Sequence, residues 1–223
     1  VLSLLSLVAL LAPAAARAQF DQYTAPGRLV ESRATMQDLL ARQMKESRWR
    51  LGRFFVDPWV GVRNIAYFDN VYGDTQGPKQ SDFTATLGAG LRTYCPLGAE
   101  LTFAGYALPE YVWWQELADR RRINGRYGAG LFGNFGRTGL EATAARTDDS
   151  LFFSRELEVP VNTRLDRGAA QLEFELFGGL SLFAGGELRR IRYLDKDDPT
   201  LATLDLLDRD EEILRAGLRF PLF

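Results

Sequence analysis

Histidine is absent from the 223 residues, and cysteine occurs once, at Cys95. Without an imidazole there is no Ser-His-Asp hydrolase, no His-dependent barrel protease and no His-ligated metal. A single thiol allows neither an internal disulfide nor a Cys cluster, and Cys95, beside Pro96 at the end of an alternating stretch, reads as an inert small apolar residue. No Gly-rich motif joins a strand to a helix; Gly128, Gly130 and Gly133 fall inside a strand pattern, where small residues suit close packing or curvature. Excess charge is lacking too, since the formal net charge is -2 and the basic cluster Arg120-Arg121-Arg122 is too short to indicate nucleic acid. We therefore expect no enzyme, no cofactor, no metal and no nucleic-acid partner.

Long hydrophobic runs are also missing beyond the N-terminus. A membrane helix needs about 20 consecutive apolar residues, whereas a hydrophobic fraction of 46% and a mean hydropathy of -0.16 are ordinary for a globular chain. The exception is Val1 to Ala16, apolar and then Ala-rich, which leads into Ala16-Arg17-Ala18. That small-x-small triplet makes residues 1–18 a cleaved secretory signal with a mature start at Gln19. The chain opens on Val with neither an initiator Met nor a basic leader, so we expect its N-terminus to be incomplete.

From about Asp57 onward the chain instead repeats stretches of alternating apolar and polar residues, each followed by a turn. In Phe83 to Cys95, for example, Phe83, Ala85, Leu87, Ala89 and Leu91 fall on one side and Thr84, Thr86, Gly88, Gly90 and Arg92 on the other. Period two is a strand signal. Eight strands are predicted, at Pro58 to Phe68, Asp82 to Tyr94, Glu100 to Trp114, Asn124 to Phe135, Leu140 to Thr147, Arg167 to Leu176, Ser181 to Tyr193 and Glu212 to Leu222. Short Gly-containing turns at 96–99, 136–139 and 178–180 alternate with longer polar loops at 69–81, 116–123, 148–166 and 194–211. An even strand count with that asymmetry predicts an all-β fold, an antiparallel up-and-down transmembrane β-barrel over 57–223. Residues 19–56 are predicted to be a periplasmic leader whose stretch Leu29 to Trp49 forms an amphipathic helix, tethering the barrel or plugging its mouth.

Phase assigns the faces. Ten charged residues are expected to line the lumen: Arg63, Arg92, Arg126, Glu141, Glu173, Glu175, Glu187, Arg189, Arg215 and Arg219. Such charges set pore selectivity, or pair with one another and form a polar core in a small barrel whose interior is filled by side chains. Tyr67, Tyr111, Trp113, Trp114, Phe152 and Tyr193 near loop-side strand ends, with Tyr94 and Phe135 near turn-side ends, are expected to form two aromatic girdles. The acidic stretch Leu194 to Glu212 matches no calcium-loop spacing and reads as a solvated external loop. Counted back from Phe223, the positions that an outer-membrane C-terminal signal keeps apolar hold Pro221, Arg219, Gly217 and Arg215, so Phe223 is expected to be an interior point of a longer chain.

Three segments carry a likeness. Pro58-Trp59-Val60-Gly61-Val62-Arg63, Tyr67-Phe68-Asp69-Asn70-Val71-Tyr72-Gly73 and the run from Asp82 to Leu91 resemble the bacterial β-barrel porin 2 family of outer-membrane β-barrel proteins, from about Arg50 to the end. The resemblance implies a longer, many-stranded barrel and brings no catalytic residues. Together with the polar face it leads to the expectation of a porin-like outer-membrane protein that passes small solutes or exports a polymer such as a polysaccharide. Its partners would be lipid and the barrel-assembly machinery. A small non-conducting barrel, anchoring the envelope or binding through its loops, is the alternative.

Overall fold

The structure, a computed structural model, describes residues 33–71, 79–152, 160–194 and 206–220. The expected signal segment, the leader up to residue 32 and most of the acidic loop lie outside these residues, as do Tyr72 and Phe223. A helix α1 (Arg33–Glu46) precedes nine strands: β1 (Trp49–Leu51), β2 (Phe54–Phe68), β3 (Asp82–Pro96), β4 (Leu101–Trp114), β5 (Arg122–Phe135), β6 (Thr138–Phe152), β7 (Pro160–Glu175), β8 (Ser181–Tyr193) and β9 (Arg209–Arg219). They form one antiparallel meander in which every strand pairs with its neighbours in sequence. The sheet is not closed: among the described residues no pairing joins β9 to β2, and β1 covers only Phe54–Val56 of the β2 edge. No described helix is long and apolar enough to cross a membrane.

All eight expected strands are present, and β1 adds a ninth. Gly52, at φ 61°, turns β1 into β2 within the segment expected to be leader, so the sheet starts at Trp49. The larger difference lies at β6 and β7, which extend through most of the stretch expected as a loop over 148–166. Charge had marked that stretch as loop. In the structure its residues pair across the two strands, Arg146 with Asp166 at 2.6 Å and Arg164 with Asp148 at 2.6 Å, which keeps the ladder intact. The turns are short where expected, and Gly98, Gly136, Gly178 and Gly179 supply the positive φ they need. In β2 a bulge shifts the register between Arg63 and Ala66, with Asn64 at φ 52° and its side-chain amide 3.5 Å from the Thr86 hydroxyl.

The two faces of the sheet reverse the usual order of a folded protein. Thr86 is 2% exposed, Asp82 3% and Glu187 3%, while Leu172 is 55%, Val60 76% and Leu214 90% exposed. A single-layer sheet buries one face only by curling around it, so the polar face is the concave one. Curvature also explains how Arg63 on β2 meets Glu110 on β4 across the intervening β3, because strands two apart are about 9.6 Å from each other in a flat sheet.

The concave face is packed as well as charged. The Trp59 indole lies over Gly61, Gly88 and Gly90, and a Cβ at Gly88 would stand 2.8 Å from its ring. A methyl at Gly90 would overlap the indole outright. Gly90→Ala is therefore expected to destabilise by about 1–3 kcal/mol, the usual cost of overpacking. Adding Trp59→Leu should restore most of that loss in a denaturation curve, because the obstacle is the ring itself.

Candidate functional site: the polar concave wall

Period-two alternation and the register place all ten of the charged residues singled out above on the concave face. Most do not stand alone. Glu187 on β8 receives Arg167 from β7 at 2.6 Å, Arg215 from β9 at 3.4 Å and Arg189 from its own strand. One nearly buried carboxylate thus holds three guanidinium groups, and Arg189 reaches Glu211 at 3.6 Å as well. Lower on the wall, Glu173 accepts from Arg219 at 2.9 Å and from the Ser181 hydroxyl at 2.6 Å. Arg63 binds Glu110, and Arg92 lies 3.9 Å from Asp57. Arg126 lies on β5 two residues from Gly128, which the Tyr106 ring of β4 covers. Glu141 lines a cleft at the turn-side end, and Glu175 stands exposed at the end of β7.

Sequence identified these groups without their partners. Asp57, Glu110, Arg167 and Glu211 share the same face and complete the pairs; the phase of the alternation was the signal that could have found them. Long charged side chains meet diagonally or across an intervening strand on a concave wall, so neighbouring residues in sequence say little about who pairs with whom.

The aromatic residues divide between the faces. Tyr67, Tyr111, Trp113 and Phe135 stand on the convex, apolar side, whereas Tyr94, Trp114 and Tyr193 share the polar face. Position along the chain had grouped all of them as girdle, but consecutive strand residues point to opposite faces, so Trp113 and Trp114 separate. The Phe152 side chain lies outside the described residues.

On the convex side the apolar residues make a continuous band that includes Leu91, Leu131, Leu172, Phe174, Leu182, Leu214 and Leu218. On β6 to β9 this band ends at a hem of charge. Arg146, Asp166, Arg190 and Asp210 are successive cross-strand partners of alternating sign. A second row follows, with Asp148 bound to Arg164 and Arg192 bound to Asp210 at 2.7 Å. The hem could not be anticipated from the sequence, because Arg146, Arg190 and Arg192 fell in predicted strands while their partners Asp148, Arg164, Asp166 and Asp210 fell in segments assigned to loops. It marks the level at which the exposed side chains of the convex face change from apolar to charged.

At the loop-side rim the Asp82 carboxylate accepts backbone N–H bonds from Phe83 at 2.7 Å, Glu116 at 3.1 Å and Leu117 at 2.9 Å, which fixes the connection after β4. At the opposite end α1 covers part of the concave face: Leu40 is buried, and Gln37 accepts from the Asn134 side-chain amide at 2.9 Å. Among the described residues no cluster of Cys, Asp and Glu is arranged to hold a metal ion. No family model, no curated protein and no solved structure matches the chain.

Proposed function

We propose that this sheet is the wall of a bacterial outer-membrane β-barrel, porin-like, along whose polar face small solutes pass or a polymer is exported. The observation that carries the reading is the reversal of faces: the concave side gathers paired charges while Leu172, Val60 and Leu214 stand exposed on the convex side. Exposed apolar area of this extent in water would drive aggregation, whereas in a bilayer it is the contact surface. The charged hem supports the same reading, because it ends the band where headgroups and water begin. Closure belongs to the proposal as well. Unpaired strand edges cost several kcal/mol per polar group in hydrocarbon, so in the membrane the free edges of β2 and β9 are paired. Export through a cleaved signal, insertion by the barrel-assembly machinery and the likeness of residues 58–63 and 82–91 to the β-barrel porin 2 family complete the picture.

The test is electrical. Purified full-length protein, folded in detergent and added to a planar bilayer, should give stepwise currents. A tight seal from protein shown to be folded and inserted would overturn passage. One observation favours the second reading, a non-conducting anchor or loop-binding barrel: the concave charges are knit to one another along the wall, and α1 sits across its turn-side end. Under that reading the seal is tight, while the predictions for the convex face and for the packing and charge of the concave wall hold unchanged.

A further inference from the structure

We propose that the cleft between α1 and the turn-side end of the concave wall is a binding site for a small neutral polyol of mono- or disaccharide size. Its volume of about 390 Å³ falls in the range of small-molecule sites. One side is α1, which contributes Met36, Leu40 and Met44, spaced four apart and therefore on one helix face, with Gln37 beside them. The other side is the sheet, which contributes Phe132, Asn134, Gln171 and Glu173.

Two acceptors on that lining lack donors. Asn134 Oδ1 and Gln171 Oε1 are enclosed with no hydrogen-bond partner, and the Asn134 amide nitrogen is already committed to Gln37. Buried oxygens in this state are uncommon in folded proteins. Two of them beside one cleft favour a ligand that brings donors; the soft amide torsion of Gln171 can turn its oxygen toward it, and at Asn134 the same turn exchanges the bond to Gln37 for one to the ligand.

Charge narrows the class. Glu173 is already matched by Arg219 and Ser181, Glu141 is also engaged, and Glu100, the third carboxylate of the lining, stands exposed to solvent that screens it. A cation would find these carboxylates largely compensated, while an anion would lie against them. A polyol is neutral, offers hydroxyl donors to the two amide oxygens and sets its C–H face against Phe132 and the methionines. The inference deepens the reading of the concave face as a passage and rests on it for its biological role, though binding is measurable without conduction.

Calorimetry on the full chain folded in detergent micelles, with maltose and glucose as probes, is the experiment. Saturable binding in the millimolar range is expected, with no comparable heat from spermidine or pyrophosphate. Gln171→Leu should weaken binding about tenfold, the equivalent of one lost hydrogen bond. Met36→Trp, which fills the cleft from the helix and leaves every strand unaltered, should abolish it. No binding of either sugar, equal affinity in the Met36→Trp protein, or tighter binding of spermidine or pyrophosphate would each overturn the proposal. Parallel bilayer recordings separate the two ideas. Channels without sugar binding refute the polyol site and leave passage standing, and sugar binding under a tight seal does the opposite.

Discussion

Leu172→Arg should destabilise the folded chain in lipid by about 2–4 kcal/mol, the cost of a cation on the lipid face of a barrel near the bilayer midplane. Leu172 stands between Ala170 and Phe174 on the convex face of β7, in the middle of the apolar band and away from the charged hem. It is more than half exposed, so in a protein surrounded by water the same substitution would shift stability by no more than about 0.5 kcal/mol, or even aid solubility. The two surroundings thus predict different magnitudes for one change at one site. Urea titration of protein folded into vesicles gives the number. Arg146→Leu supplies the contrast, since it removes a charge from the hem, where Arg146 binds Asp166 in contact with solvent; its cost should stay within about 1 kcal/mol, as for exposed pairs. Equal, small effects at both positions would remove lipid from the convex face.

The second large effect is expected at Glu187. Replacing it with Gln leaves Arg167, Arg189 and Arg215 facing one another without the carboxylate they share. Removing one member of a buried pair costs about 3–5 kcal/mol, and here about 3 kcal/mol is expected, because Arg189 and Arg215 retain access to solvent. The double variant Glu187→Gln with Arg167→Gln should recover part of that loss, as its repulsion is smaller. A Glu187→Gln protein as stable as the parent would mean that the three arginines are separately solvated and the wall is not knit through this residue.

Much of the fold could be read from period two. The alternation, as in Phe83 to Cys95, gave both the strands and the division of their faces, and the Gly-bearing turns gave the order of the meander. Three things were hidden. β1 has only three residues, too few for any pattern to declare itself. The extension of β6 and β7 was masked because a charged strand end and a polar loop have similar composition, and only cross-strand pairing tells them apart. The aromatic residues were sorted by their distance along the chain, which fixes their height in the sheet but not their face. As for the candidate site, the sequence located its charges but not the diagonal contacts that tie them together, which depend on curvature and on the strand order.

The free edges of β2 and β9 also bear on assembly. Every pairing in the described sheet is between strands adjacent in sequence, so the hairpins need only local search and can form early. Closing the edges is a contact of long sequence separation and carries the full entropy of bringing distant segments together. Hydrocarbon does not tolerate the open form. In the proposed barrel the slow step would therefore be the last pairing, and insertion into lipid would have to wait for it or coincide with it.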